Sequence, residues 1–237
     1  GAAMIDVGAE STRPGAEPVS DAEQIARALP VVRALATEGI AVSIDTRSAV
    51  VAEAALECGA VAVNDVSAAS DDPRMLSVAA RRGAAIVLMH RLRRPEEDAY
   101  SDRYAESDRP RYADVVRAVA EHLHARREAA INAGIDPARV AIDPGLGFGK
   151  TVDQNYALIA RLDELARLGS PVLVGASRKS FLGAASGETV AAERSIESVA
   201  AATAAYLRGA RLFRVHDVQE TRRALAVAQR VVGGLGH

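Results

Sequence analysis

The strongest constraint on the fold of this 237-residue chain is a repeat in which short, β-branched apolar runs alternate with longer helical patterns. Apolar character is nearly continuous within the runs, which is typical of parallel strands buried on both faces. Between the runs, apolar side chains recur at the helical spacings of three and four residues. The seven runs cover residues 3–7, 41–44, 61–63, 85–89, 140–142, 172–174 and 212–215.

Six of the helical patterns end in a glycine that lies shortly before the next apolar run. Such a glycine is typical of the left-handed residue that ends a helix and begins a short return loop. Ser20, with Glu23 three positions later, predicts a capping box at the start of the first helix. The six glycines are Gly39, Gly59, Gly83, Gly134, Gly169 and Gly209.

Strands that alternate with helices predict parallel pairing, right-handed crossovers and, at this length, a (β/α)8 barrel. Only seven runs are visible and the chain opens on one of them, so we expect a barrel whose first strand-helix unit is missing. A seven-stranded open sheet is the alternative. Because no linker interrupts the pattern, we expect one domain over residues 1–237. The charged stretch 91–111 predicts a long loop that could close over a site.

The composition argues against several classes of protein. A net charge of -2, 3% aromatic residues and no Trp do not suit a nucleic-acid-binding protein. The single cysteine, Cys58, excludes an intramolecular disulfide and indicates a reducing compartment, so we expect a cytoplasmic protein. Its helical context predicts a packing role. No apolar run approaches the roughly 20 residues that span a bilayer, so no membrane association is expected.

Polar residues follow every predicted strand at its carboxyl end, where barrels and parallel sheets bind ligands. Asp45, Asn64 and Asp143 follow three different strands and are expected to face one cavity. Two carboxylates and an amide can hold the edge of a planar heterocycle that presents N–H groups. A second, cationic set suits an anionic ligand such as a phosphate. It comprises Arg13, Arg178, Lys179, Arg214 and His216.

Some of these polar residues also have a purely structural interpretation. An Asp, Asn, Ser or Thr after a strand often caps the next helix, and Thr46 and Ser67 are candidates for that role. The glycine-rich run 145–149 matches neither the dinucleotide-binding fingerprint nor the P-loop. His122 and His124 lie in a polar helical pattern and are expected to be solvated.

Seven short motifs resemble those of dihydropteroate synthases, in that family's order and over nearly the whole chain. The resemblance implies a (β/α)8 barrel transferase that condenses 4-aminobenzoate with (7,8-dihydropterin-6-yl)methyl diphosphate. The products would be dihydropteroate and diphosphate, in a step of folate biosynthesis, and the enzyme would be a homodimer that uses Mg2+. The motifs are ESTRPG at 10–15, SIDT at 43–46, NDV at 64–66, LMH at 88–90, DPGLGFGK at 143–150, GASRKS at 175–180 and RVHD at 214–217.

The resemblance also implies a role for individual residues. Asp45, Lys179 and Arg214 would be catalytic. The family's Asn ligand of Mg2+ belongs to a strand that would precede Gly1, so no metal ligand is assigned within this chain. The pterin would be held by Asp45, Asn64, Asp143 and Lys179, the diphosphate by Arg13, Arg214 and His216, and the aminobenzoate by Thr12, Pro14, Phe148 and Ser177.

Three other functions remain open at this level. A methyltetrahydrofolate-dependent corrinoid methyltransferase would share the acidic ring pocket but would not need a diphosphate clamp. A non-catalytic paralogue or fragment would bind pterin without turnover. A Schiff-base aldolase would use Lys179 as its nucleophile.

Overall fold

The computed structural model describes residues 1–234 and shows seven parallel strands with helices between them. All seven predicted strands are confirmed, although the first three lie one or two residues further along the chain than the apolar runs. The polar residue that follows a run, such as Asp45 or Asp143, also pairs in the ladder, because backbone pairing does not depend on side-chain polarity. The strands are β1 (Ile5–Gly8), β2 (Val42–Asp45), β3 (Ala62–Asp65), β4 (Ala85–Met89), β5 (Val140–Asp143), β6 (Leu173–Val174) and β7 (Leu212–Phe213).

Nine α-helices fall within residues 1–234. Short 3-10 turns at Pro95–Glu97, Pro137–Arg139 and Ala191–Glu193 supplement them. The helices are α1 (Asp21–Thr37), α2 (Ala49–Glu57), α3 (Arg74–Arg82), α4 (Val115–Asn132), α5 (Val152–Ala160), α6 (Leu162–Ala166), α7 (Ser180–Ser186), α8 (Ser195–Leu207) and α9 (Val218–Gly234).

The strands follow each other in space in the order in which they occur in the chain. Strands β1 to β5 form one parallel sheet, and β6 pairs in parallel with β7. A single parallel bridge between Ile142 and Val172 joins the two groups. Within the described residues no ladder connects β7 to β1. The side chain of Arg214, which follows β7, instead contacts Asp6 of β1.

The apolar core forms between the central strands and the helices that pack against them. Every residue of β2, β3 and β5 is buried, whereas β1 and β7 at the two edges are partly exposed. Ala, Val, Leu and Ile make up most of the core, which consists of one cluster around the first strands and another around the last ones. Cys58 packs against the first cluster, which confirms its predicted packing role.

The helix ends test two predictions made from local sequence, the glycines that end helices and the capping box of α1. All six predicted glycines have positive φ, between 59° and 108°, as a left-handed helix end requires. At α1 only half of the predicted capping box forms. Ser20 Oγ accepts from the Glu23 amide, but the Glu23 carboxylate pairs with Arg27 instead of reaching back. The complete capping box belongs to Thr151 and Gln154 at the start of α5.

The prediction that Thr46 or Ser67 caps a helix is wrong. Ser48 is the N-cap of α2, and Thr46 instead donates to the buried Gln24 side chain of α1 at 3.1 Å. Helix α3 begins after Pro73 without a side-chain cap, and Ser67 donates to Asp65 at 2.7 Å. Both hydroxyls therefore stabilise the loops at the carboxyl ends of the strands.

The polar stretch 91–111 is a long loop, as predicted, and it is held against the strand ends. Its Pro95 carbonyl accepts from Gly15, and its Asp98 carboxylate accepts from the Gly149 amide at 2.7 Å. The loop therefore contacts two of the glycine-containing loops of the rim. No helix in residues 1–234 is both long enough and apolar enough to cross a membrane.

Candidate active site

Asp6, near the end of β1, lies at the centre of a hydrogen-bond network that joins β1 to β2, to β3 and to the segment after β7. Its Oδ1 accepts from Ser43 Oγ of β2 at 2.6 Å. Its Oδ2 accepts from Asn64 Nδ2 of β3 at 3.1 Å and from Arg214 Nε, which follows β7, at 2.6 Å. Asp6 is not among the predicted site residues, although it is the polar residue nearest the end of the first apolar run.

Asp45, at the end of β2, is buried beside this network. Its Oδ2 accepts from Arg214 Nη2 at 3.1 Å, while its buried Oδ1 has no hydrogen-bond partner. Burial, reinforced by the charge of Asp6 and opposed by Arg214, raises the pKa of Asp45 to about 7. A buried carboxylate oxygen without a partner is costly, and it can be satisfied by an N–H group of a ligand.

Arg214 brings the two predicted sets of residues together. The sequence predicts an acidic ring site and a separate cationic phosphate site, with Arg214 in the second. In the structure its half-exposed guanidinium forms ion pairs with Asp6 and Asp45 of the acidic set. The two sets therefore interlock at the carboxyl ends of the strands rather than lying side by side.

Asp143 and Lys179 form the other side of the site. Asp143 is buried at the end of β5 and accepts from the Gly145 amide at 2.7 Å. Burial raises the pKa of Asp143, and the nearby ammonium of Lys179 opposes that shift. Lys179 Nζ donates to the Leu146 carbonyl and lies 4.5 Å from the centre of the Phe148 ring. Burial lowers the pKa of Lys179 to about 8.

Lys150 is a second lysine of this region and is completely buried. Its Nζ donates to the Phe148 carbonyl at 2.8 Å and lies 3.0 Å from Nδ1 of His90 at the end of β4. Burial lowers the pKa of Lys150 to about 7 and that of His90 to about 2. This contact ties β4 to the loop that follows β5, beside Asp143.

Lys150 is not among the predicted site residues, although the sequence contains a signal for it. Of the 29 Lys and Arg residues in the chain, only Lys150 and Lys179 are lysines. Both lie in segments that follow strands, and the ammonium of a lysine suits a compact, single-point contact better than a guanidinium does. The expectation that His122 is solvated is wrong. Its ring packs edge-on against His90 at 5.0 Å, and burial lowers its pKa. His124 is exposed, as expected.

The segments that follow β6 and β7 meet through Ser177 and His216. Ser177 Oγ lies 2.9 Å from His216 Nδ1 and accepts from the His216 amide. Burial lowers the pKa of His216, and the charge of Arg178 adds to the effect. Arg178 itself forms an ion pair with Asp217 at 2.7 Å and has a φ of +60°. Its guanidinium is therefore engaged within the rim.

The loop after β1 carries three of the predicted site residues. Thr12 and Pro14 are partly buried, and Arg13 is exposed. None of the hydrogen bonds and ion pairs described for residues 1–234 joins the side chain of Arg13 to the other predicted residues, although its charge contributes to the lowered pKa of His216. The structure thus links Asn64 to Arg214 through Asp6, and Arg214 contacts Asp45 directly, whereas Arg13 lies at the periphery.

This arrangement can bind a flat, nitrogen-rich ring beside an anion. The buried carboxylates of Asp45 and Asp143 can accept from ring N–H groups, and the neighbouring cations of Lys179 and Arg214 can bind negative charge. No group of three or more His, Cys, Asp or Glu side chains within residues 1–234 is placed to hold a metal ion. The side chains described for this chain therefore do not form a metal site by themselves.

Comparison with known proteins agrees with this chemistry. The model of the family described as "Pterin binding enzyme" matches residues 1–216. The dihydropteroate synthase of Mycobacterium leprae is 46% identical over 100% of this chain and 81% of its own length. A structure of Xanthomonas albilineans dihydropteroate synthase with 4-aminobenzoic acid matches with a TM-score of 0.88 and 42% identity, over 98% of this chain and 80% of that one.

A second solved structure is informative because of its ligand. The dihydropteroate synthase of Thermus thermophilus in complex with 6HMPPP is 44% identical and matches with a TM-score of 0.83, over 97% of this chain and 83% of that one. Because these relatives share both sequence and fold, the parallel α/β fold predicted from the sequence is confirmed.

Proposed function

Because the chain belongs to the dihydropteroate synthases of the pterin-binding enzyme family, we propose that it condenses 4-aminobenzoate with (7,8-dihydropterin-6-yl)methyl diphosphate. The products are dihydropteroate and diphosphate. The observation that carries this proposal is the buried, unpartnered Oδ1 of Asp45 beside Arg214. This oxygen can accept from a ring N–H, and the adjacent Arg214 can bind an anionic group.

The ring is held by the acidic side of the site. We assign the pterin to Asp45, Asn64, Asp143 and Lys179. The carboxylates accept from ring N–H groups, and the Asn64 oxygen is free to accept because its amide nitrogen already donates to Asp6. Lys179 offers its ammonium beside Asp143 and can donate to a ring carbonyl.

The cationic side of the site faces the leaving group. We assign the diphosphate to Arg13, Arg214 and His216. During the reaction the bond between the methylene carbon and the diphosphate oxygen breaks, and its electron pair leaves with the oxygen. Arg214 stabilises that negative charge, while Asp45 stabilises the positive charge left on the pterin methylene.

The second substrate attacks this methylene carbon. Its amine nitrogen forms the new C–N bond and loses a proton, so no covalent enzyme intermediate is required. We assign the aminobenzoate pocket to Thr12, Pro14, Phe148 and Ser177. The position of Phe148 over Lys179 supports this assignment, because it places an apolar ring at the boundary of the pterin site.

We retain Mg2+ as a proposal from the family resemblance alone. The described side chains do not form a metal site, so the donor set does not fit a resident ion, and no step above depends on one. We also propose one domain over residues 1–237 and a cytoplasmic location, which the single Cys58 supports.

A homodimer is proposed because apolar side chains are exposed on the last two long helices. Ile196 on α8 is 82% exposed and Val227 on α9 is 66% exposed. A cavity of about 390 Å³ between the two helices is lined by Thr203, Leu207, Ala224, Val227, Ala228 and Val231. Burial of such a surface against a second copy is favourable, and sedimentation velocity of the purified chain tests it.

The assay that tests the proposed function is release of diphosphate when 4-aminobenzoate and the pterin diphosphate are mixed with the protein and Mg2+. We expect release that depends on both substrates, with dihydropteroate formed in equal amount. Pterin binding without turnover would instead identify a non-catalytic pterin-binding protein. Turnover that does not require 4-aminobenzoate would contradict the proposed second substrate.

The pH dependence of kcat/KM is expected to be bell-shaped, with a maximum between about pH 7 and 8. Below pH 7 Asp45, whose pKa is raised to about 7, becomes protonated and loses an acceptor. Above pH 8 Lys179, whose pKa is lowered to about 8, loses its charge. The rate constant therefore rises up to about pH 7 and falls above about pH 8, as a steady-state pH profile can show.

Selective 13C labelling of lysine provides the control, because Lys150 and Lys179 are the only lysines in the chain. NMR titration gives the pKa of each separately. The alkaline limb is expected to follow the value for Lys179, near 8, rather than the value for Lys150, near 7. A profile that is flat between pH 6 and 9 would contradict both assignments.

A further inference from the structure

The carboxylate of Asp6 has little capacity left for a substrate. Its side chain is 17% exposed, and its two oxygens accept three hydrogen bonds, from Ser43, Asn64 and Arg214. Two of these donors, Asn64 and Arg214, are among the residues that we assign to the substrates. Asp6 therefore acts on the ligand through its neighbours and is not itself a catalytic residue.

The bond to Asp6 fixes the orientation of the Asn64 side chain. An amide has a donor end and an acceptor end, and rotation by half a turn exchanges them. Because Nδ2 of Asn64 donates to Asp6 at 3.1 Å, its oxygen remains free for another donor. An N–H group of a ring can use that oxygen. Without the carboxylate, the amide could equally present its nitrogen, and it would then repel the ring N–H.

The bond to Asp6 also holds one end of the Arg214 guanidinium. Nε donates to Asp6 at 2.6 Å, while Nη2 donates to Asp45 at 3.1 Å. A guanidinium carries five N–H donors in a rigid plane, so a firm contact at Nε determines where the remaining donors point. The contact with Asp45 can then be exchanged for an anion while the contact with Asp6 persists.

We propose that Asp6 is a positioning residue of the active site, which orients the Asn64 amide towards the pterin ring and anchors Arg214 while its guanidinium exchanges Asp45 for the diphosphate. This inference rests on the proposed function, since it assumes a ring with N–H donors and a diphosphate. Asp6 lies outside the seven sequence motifs, and its role differs from that of Asp45: Asp45 contacts the ligand, whereas Asp6 positions the residues that do.

The electrostatics of Asp45 support this role. The groups that face Asp45 are Asp6 of β1, Asp65 of β3, Glu10 of the loop after β1 and Arg214 after β7. After burial, the charge of Asp6 is the largest cause that raises the pKa of Asp45. Removal of that charge should therefore move the acid limb of the pH profile to lower pH. A purely structural defect would not move the limb in this way.

The test compares Asp6→Asn with Glu38→Gln, a charge-matched control on the exposed end of α1. For Asp6→Asn we expect kcat/KM for the pterin diphosphate to fall about 10- to 100-fold, the range for lost charge-assisted hydrogen bonds. The acid limb should move down by about half a unit or more. Glu38→Gln should match the wild type. An unchanged kcat/KM, or a loss with the acid limb in place, would overturn the proposal.

A double-mutant cycle isolates the contact with Arg214. If Asp6 acts through Arg214, the loss caused by Asp6→Asn should be clearly smaller when it is introduced into Arg214→Met than into the wild type. Independent, multiplicative losses would show that Asp6 does not act through Arg214. If Asp6→Asn does not fold, Asp6→Glu replaces it, since it keeps the charge but moves it by one methylene. That variant should lose kcat/KM while the acid limb stays in place, and wild-type kcat/KM in it would overturn the proposal.

Binding of 6-hydroxymethylpterin, which lacks the diphosphate, separates failure of this inference from failure of the proposed function. Fluorescence titration of the wild-type protein should show binding. No binding by the wild type would contradict the proposed function itself. Wild-type binding together with equal binding by Asp6→Asn would overturn only the role of Asp6, because the orientation of Asn64 would then not matter.

Discussion

Replacement of Lys179 by methionine is expected to reduce kcat/KM for the pterin diphosphate by two to three orders of magnitude. Methionine keeps the length of the side chain but removes the ammonium that lies beside the buried Asp143. A fall of that size corresponds to roughly 3 to 4 kcal/mol, and it is expected because the buried carboxylate then lacks its nearby cation. Without that ammonium the pKa of the Asp143 carboxyl would rise further, and the protonated form is a poorer acceptor for ring N–H groups.

Three measurements make this prediction specific. Steady-state kinetics give kcat and KM separately, and KM for the pterin diphosphate should rise because binding is impaired. The alkaline limb of the pH profile should disappear with the lysine. The exposed Arg208→Met is the matched control, and its kinetics should be those of the wild type. Unaltered kinetics in Lys179→Met would contradict the assignment of Lys179 to the pterin site.

Replacement of Gly145 by alanine is expected to destabilise the protein by roughly 4 kcal/mol, which corresponds to a decrease in Tm of about 10 °C. A Cβ atom at this position would lie 1.8 Å from the backbone carbonyl oxygen of His90, and the φ of +66° is itself unfavourable for alanine. Both segments are tied to Asp143: the His90 amide donates to its carbonyl, and the Gly145 amide donates to its carboxylate.

Gly187→Ala is the matched control for this variant. Gly187 also has a positive φ, of 84°, but a Cβ atom there would meet no heavy atom within 4 Å. It should therefore show only the backbone cost, about 1 kcal/mol. Thermal unfolding of both variants separates the clash from the backbone strain. Equal decreases in Tm would mean that β4 and the DPGLGFGK loop are not as close as the structure shows.

Much of the architecture could be predicted from local sequence patterns. Continuous apolar runs indicated all seven strands, and the glycines marked six helix ends, because backbone conformation responds to residues within a few positions. The capping predictions were less successful. Ser20 forms half a capping box, and Thr46 and Ser67 cap no helix, because a hydroxyl can satisfy any nearby donor or acceptor and the tertiary contacts decide which one.

The residues of the site were only partly predictable. The strand-end rule placed Asp45, Asn64 and Asp143 at one edge of the sheet, since parallel strands have their carboxyl ends on the same side. It could not show that Arg214 would pair with the acids rather than lie apart from them. Lys150 and His122 were overlooked or misjudged because their burial depends on the loop after β4 and on the packing of α4, which no local pattern reports.

The sequence by itself determined the parallel α/β architecture and the edge at which polar residues collect, because these depend on short-range periodicity and on strand direction. Only the tertiary structure decided how those residues are connected. Asp6 meets partners that lie 37, 58 and 208 positions away along the chain. Such contacts are set by the register between strands and by the direction of each side chain, and both arise only when the sheet has formed.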